Sequence, residues 1–195
     1  MKNDLKELKK EDWNTLFPVE LFDHDPQWKN IFEEERQRIT SFTSSKGIFK
    51  IEHFGSSSVP HIKAKPYIDM LIEISRESLF DENLIAKFED SGYTYFKVPQ
   101  RDDIDAYMSF GKGYNLNGKK EQIFHIHMCP AENVMWSQIK FRDYLIANPA
   151  KAKQYESLKV ELATQFRNDR GAYLLGKADF IRETMNLINK NETNF

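Results

Sequence analysis

Between Ile51 and Ile74 the chain reads I-E-H-F-G-S-S-S-V-P-H-I-K-A-K-P-Y-I-D-M-L-I-E-I, which puts a glycine–serine turn ahead of a lone aspartate inside an apolar strand. Taking an unpaired carboxylate out of water costs several kcal/mol even after relaxation. Asp69 is therefore expected to meet a charged partner. Gly55 permits backbone angles that other residues resist, and Ser56, Ser57 and Ser58 add hydroxyl donors, a combination suited to phosphate. A helix beginning near Val59-Pro60 would aim free N–H groups at the same place. An acid near the start of a strand beside such a turn can hold the magnesium that accompanies phosphate. G-S-S-S is also the signature of an ordinary serine-capped turn, and Asp69 could pair with Lys63 or Lys65. Those two lysines could equally reach triphosphate oxygens as point charges or form a solvated basic stretch. His53 and His61 flank the turn and read first as hydrogen-bonded structural histidines.

A second group lies in F-H-I-H-M-C-P, where His125, His127 and Cys129 alternate onto one strand face and Ile126 and Met128 onto the other. Two imidazoles and a thiolate could bind zinc, but no C-x-x-C partner supplies a fourth ligand, so polar contacts to a substrate in a cleft are favoured over zinc. Towards the C-terminus Arg142 is in K-F-R-D-Y-L. Tyr155 and Lys159 are four residues apart in Q-Y-E-S-L-K and share a helix face. With Lys177 they could present cations to the same cleft, or be solvated helix charges.

These residues need elements to hold them. Leu5 to Leu16 reads as a short charged helix ended by Pro18, an N-terminal extension (residues 1–17) to a single domain (18–195). Val19 to His24 is extended. Asp25 and Pro26 read as N-cap and first turn of an amphipathic helix, Pro26 to Thr43, with Trp28, Ile31, Phe32, Glu35 and Ile39 at helical spacing. Ser44 to Gly47 is a turn. Strands are expected at Phe49–Phe54, Tyr67–Ile74, Tyr93–Val98, Asp105–Phe110 and Gln122–Cys129, the last two joined by a polar loop, Gly111 to Glu121. Ser78 to Ser91 reads as a helix stopped by Gly92. Three more helices are expected at Glu132–Ala147, Pro149–Asn168 and Lys177–Asn189, broken at Asn148-Pro149 and around Gly171. On strand Tyr67–Ile74, Asp69, Leu71 and Glu73 share one face. The order is α+β: a mixed β-sheet with helices packed on it, followed by C-terminal helices.

Composition narrows the class. The chain has 195 residues, of which 40% are hydrophobic and 13% aromatic, enough for a packed core. Its 28 basic and 30 acidic side chains leave a net charge of -2, so no global field favours long nucleic acid. A small anion needs only a local patch. The one cysteine, Cys129, precludes an internal disulfide framework and suits a reducing cytosol. No apolar run approaches the roughly 20 residues of a membrane span, and the first residues lack a signal core. The expectation is a cytoplasmic protein without membrane contact.

At these residues the chain resembles the GrpB family of bacterial proteins. The likeness runs from about Phe22 to Met185 and rests on D-H-D-P-Q-W-K-N-I-F, the Ile51–Leu71 block, H-I-H-M, F-R-D-Y-L-I-A-N-P and Y-E-S-L-K. It implies a nucleotidyltransferase-like fold similar to the DNA polymerase β superfamily, whose pattern is Gly-Ser, about a dozen residues, then Asp-x-Asp on a strand. Gly55-Ser56 and Asp69 match. Leu71 stands where the second acid belongs, which removes a ligand from the two-metal arrangement, and His61 stands where the family usually has glycine. The resemblance implies transfer of a nucleotidyl group from a nucleotide to a small-molecule acceptor. Gly55, Ser56, Ser57, Ser58 and Lys65 would bind phosphate, and Asp69 would hold Mg2+ with help from Glu52 or His127. His53, His125, Arg142, Tyr155, Lys159 and Lys177, with Glu52, would line the cleft. The rival implication is a non-catalytic nucleotide- or partner-binding accessory domain. GrpB-like domains occur fused to dephospho-CoA kinase, which points that rival to the CoA pathway. Metal-dependent hydrolysis built on His125 and His127 is a third expectation.

Overall fold

The computed structural model describes residues 5–43, 47–101, 104–117 and 119–192. The expected Ser44–Gly47 turn falls largely outside them. Within strand β2 (Tyr67–Ile74) the side chains alternate. Ile68, Met70, Ile72 and Ile74 enter the main core, while Asp69, Leu71 and Glu73 take the other face. Each core side chain of this size contributes about 1.5–3 kcal/mol on burial.

β2 is the second strand of a five-stranded sheet ordered β1-β2-β5-β4-β3. Its partners are β1 (Ile48–Phe54), β3 (Thr94–Val98), β4 (Tyr107–Lys112) and β5 (Ile123–Cys129). β2 and β5 run parallel and the other neighbours antiparallel, so the sheet is mixed and the fold is α+β. One sheet face packs on α2 (Gln27–Phe42) and α3 (Glu82–Asp90) through Trp28, Ile39 and Phe88. Glu35 also points into this side. Tyr93 donates its hydroxyl to it, Lys112 Nζ donates at 2.9 Å and Arg38 Nε at 3.1 Å. Burial alone would raise the Glu35 pKa, but these bonds outweigh it and the net shift is downward.

The other face carries Phe54, Leu71 and Cys129, covered by Trp136 and Ile139. Here lie α4 (Ser137–Ala147), α5 (Pro149–Gln165), α6 (Arg170–Leu175) and α7 (Ala178–Glu192). Phe141, Leu145, Ala152 and Tyr155 pack there with Val59 and Ile62. The N-terminal helix α1 (Lys10–Leu16) lays Trp13, with Phe17 after it, against Tyr67, Ile123 and Tyr114 at the start of β2 and β5.

Several boundaries differ from expectation. The strand expected at Asp105–Phe110 is β4, Tyr107–Lys112, and the helix expected from Glu132 begins as α4 at Ser137, after a 3₁₀ turn over Val134–Trp136. Residues Leu5–Glu7 form a 3₁₀ turn apart from α1. The helix expected from Ser78 starts at Glu82, because Phe80 takes a left-handed backbone (φ 64°) and Asp81 then caps through Leu84 N–H at 2.7 Å. No α-helix begins at Val59-Pro60; a single 3₁₀ turn, Ser56–Ser58, replaces it. The break around Gly171 is instead the short helix α6, capped by Asp169. No helix among the described residues is long and apolar enough to cross a membrane.

Candidate functional site

β1 ends at Phe54, opposite Asp69, and the chain turns at once. Gly55 has φ 73° and ψ -175°, a region essentially reserved for glycine. A Cβ there would lie 2.3 Å from Asp69 Oδ2. The glycine–serine turn and the strand aspartate therefore touch. The serines do not share one role. Ser58 Oγ donates to Gly55 O at 2.6 Å, and buried Ser57 Oγ is 3.0 Å from His53 Nε2. Both hydroxyls hold the turn. The Ser56 side chain is hydrogen-bonded to Tyr155, whose ring is buried between Phe141 and Phe180.

Parallel pairing sets Asp69 beside His125 and Leu71 beside His127. One ligand atom from each of Asp69, His125 and His127 lies within 4.8 Å of the others. His125 Nδ1 is 3.4 Å from Asp69 Oδ1, and its Nε2 is 3.4 Å from Ser109 Oγ on β4. The His127 ring is flanked by Phe54 and Tyr107 and meets His125 edge-on, with centroids 4.3 Å apart. Its buried Nδ1 has no hydrogen-bond partner among the described residues. Burial, then repulsion from His125, pushes the His127 pKa down to about 3. Burial alone would raise the Asp69 pKa; the hydrogen bond and charge of His125, then Lys65, carry it below its ordinary value. The group is open to ligands: the Asp69 side chain is 27% exposed and that of His125 38%.

Cations surround this carboxylate. Lys65 precedes β2, Lys177 precedes α7, and Arg170 opens α6. Burial, then Arg170, pushes the Lys65 pKa down to about 7 despite Asp69. Burial brings Lys177 to about 8, again against the pull of Asp69. Lys159 is driven to about 7 by burial and by Lys177, and its Nζ donates to the Lys63 carbonyl. Among the described residues neither Lys65 nor Lys177 forms a salt bridge; each lies over a tyrosine ring, Tyr67 and Tyr173, at 4.6 Å. The N-terminal segment fixes Arg170. Nη1 donates to Phe17 O at 3.0 Å, the backbone N–H donates to Asn14 Oδ1 at 3.1 Å, and the guanidinium lies 5.9 Å from the Trp13 ring.

Three expected cleft residues are placed elsewhere in purpose. His53 alternates to the opposite sheet face, stacked on Phe32 at 4.9 Å, and burial holds its pKa at about 4. Arg142 and Glu52 satisfy each other at 2.8 Å, and Arg142 also donates to His53 O at 2.6 Å, pinning α4 to β1. Cys129 is buried against Phe54 and Leu71, outside the Asp–His group, and burial pushes its thiol up to about 12. Lys63 pairs with Asp23, so it is not the partner of Asp69. Sequence reasoning missed Arg170, Ser109, Tyr67 and Tyr114. The D-R-G-A-Y-L-L cap-and-helix pattern was the available signal for Arg170.

Comparison with known proteins agrees with this architecture. A family model described as GrpB protein matches residues 18–187. The glutamate-rich protein GrpB of Alkalihalophilus pseudofirmus is 33% identical, over 86% of this chain and 94% of its own length. The Bacillus subtilis protein YqkA is 36% identical over 86% of this chain but only 47% of its own. Among solved structures, the conserved protein GrpB from Enterococcus faecalis superposes with a TM-score of 0.74 and 29% identity, covering 89% of this chain and 99% of that one. The chain belongs to the GrpB family.

Proposed function

We propose that the sheet face at Gly55 and Asp69 binds a nucleotide and transfers its nucleotidyl group to a hydroxyl of a small-molecule acceptor. The observation that carries this reading is the Asp69 carboxylate against the Gly55 turn, with Lys65 and Lys177 within its electrostatic reach and Arg170 acting on Lys65. A phosphate chain would supply negative charge to these cations. The backbone N–H groups of the Gly55–Ser58 turn would give the phosphates a seat beside Asp69. Lys65, Lys177 and Arg170 offset their charge, and Tyr155 steadies Ser56. Asp69, with His125 and His127, would hold a divalent cation, which supplies further charge at the phosphate oxygens. In the step itself the acceptor oxygen forms a bond to the α-phosphorus, the bond to the β-phosphate oxygen breaks, pyrophosphate leaves, and the hydroxyl proton passes to solvent. Catalysis comes from positioning and from charge stabilisation.

Leu71 favours a second reading. It is wholly buried in the place of a second acid, so the chain would bind a nucleotide or partner as an accessory domain without chemistry. Calorimetric titration with ATP, GTP and CoA precursors, with and without divalent cation, combined with a pyrophosphate assay, separates the two. Cation-dependent binding with pyrophosphate release supports transfer; binding without release from any acceptor supports the accessory reading; no binding overturns both. Asp69→Asn is expected to lower cation-dependent binding at least about tenfold while the chain still folds at a modest cost in stability, because His125 and Lys65 favour the ionised carboxylate in the folded state. If the variant unfolds instead, the aspartate is structural.

A further inference from the structure

We propose that Asp69, His125 and His127 form a mononuclear site for a borderline divalent cation of the zinc and cobalt class. The inference deepens the reading of this sheet face as the working site but stands on the donor set alone. In a tetrahedral site with bonds of about 2.0–2.1 Å, neighbouring ligand atoms are about 3.3 Å apart. His125 Nδ1 and Asp69 Oδ1 stand at 3.4 Å, already at that spacing, and His127 brings a ligand atom within 4.8 Å. Ser109 Oγ holds the far nitrogen of His125, which orients the ring as outer partners of metal-bound imidazoles do.

His127 gives the independent observation. A buried imidazole nitrogen with no partner carries a desolvation penalty of about 1–3 kcal/mol; among the described residues Nδ1 is left in that state, on a ring that brings a ligand atom within 4.8 Å of those of Asp69 and His125. A cation bound by that nitrogen would satisfy it. The chemistry of the donors then selects the cation. Magnesium demands oxygen ligands in octahedral geometry, whereas two imidazoles and one carboxylate suit zinc, cobalt or nickel. A second ion has no carboxylate to bind, because Leu71 takes that position and packs with Phe54 and Cys129. The partial exposure of Asp69 and His125 leaves a coordination position open to a ligand, the pattern of a reactive rather than a structural site.

The test uses the full chain, stripped with a chelator and titrated without nucleotide. Zn2+ and Co2+ are expected to bind at one equivalent, Co2+ with the visible absorption of a low-coordinate site, and Mg2+ at least about a hundredfold more weakly. His125→Ala, a half-exposed position, and His127→Ala should each weaken Zn2+ by tenfold or more, and Ser109→Ala by about tenfold. Glu52→Gln should leave it unchanged. Absence of Zn2+ binding, equal affinity for Mg2+ and Zn2+, or Zn2+ binding indifferent to folded His125→Ala overturns the proposal. Because no nucleotide is present, loss of nucleotide binding with Zn2+ binding retained discards the transfer reading and leaves this one standing.

Discussion

At the scale of single residues, Gly55 carries more of the site than any charged group. Its backbone lies in a region where a non-glycine residue costs of order 1–3 kcal/mol. A methyl group there would also collide with Asp69 Oδ2. The two penalties act on the same atoms, so Gly55→Ala should do two things. Thermal unfolding should show a loss of about 2 kcal/mol, and titration should show a loss of cation binding of at least tenfold, because relief of the collision swings the carboxylate away from His125. A variant that keeps both stability and cation affinity would mean that the turn yields and that Asp69 is not held by it. The same scale explains one misplacement. Glu52 and His53 were both assigned to the cleft, yet adjacent residues of a strand cannot share a face. His53 belongs to the α2 side, where it stacks on Phe32 and anchors Ser57.

At the scale of elements, the N-terminal helix braces Arg170, one of the cations proposed to meet the anion. It lies outside the stretch matched by the family model, yet Trp13 packs on Phe17 and Tyr114, and the segment supplies two hydrogen bonds to Arg170. Trp13→Ala is expected to cost about 2 kcal/mol, less than a full core tryptophan because the ring is half-buried. It should also weaken binding of inorganic pyrophosphate, since Arg170 loses the ring beneath it. If melting falls but pyrophosphate affinity does not, α1 only covers the sheet. Elements with strong periodicity were readable beforehand: α2 from Trp28, Ile31, Phe32, Glu35 and Ile39, and β2 and β5 from alternation. Short elements were not, because α6 is under two turns long and is defined by its Asp169 cap. The site was half legible for a related reason. Asp69 and His127 could be named from residue type, but their meeting with His125 depends on the parallel register of β2 with β5. That pairing joins segments more than fifty residues apart and leaves no local trace.

At the scale of the whole molecule, the charge arrangement ties stability and ligand affinity to pH in opposite senses. Lys65, Lys159 and Lys177 come from three separate parts of the chain, and folding brings them into one poorly solvated region. Their pKa values fall from an ordinary 10.5 to about 7, 7 and 8. Between pH 7 and about 10 the unfolded chain therefore binds more protons than the folded one, and stability rises with pH across that window. His53 and His127, depressed to about 4 and 3, act in the same direction at lower pH and have given their full contribution by neutrality. Above pH 10 the trend reverses, because Tyr93, Tyr114, Tyr155 and Tyr173 are raised by burial and ionise more readily when unfolded. A bound phosphate chain needs the lysines protonated, so it takes up protons on binding near pH 8 and binds less tightly as pH rises. Melting curves from pH 6.5 to 9 should then converge: the free protein gains stability, while the increment from added pyrophosphate shrinks. An increment that grows with pH would mean that these amines are not the groups that meet the anion. A free protein whose stability stays flat over the same range would mean that these amines keep ordinary or raised pKa values in the folded chain, as they would if paired with acids.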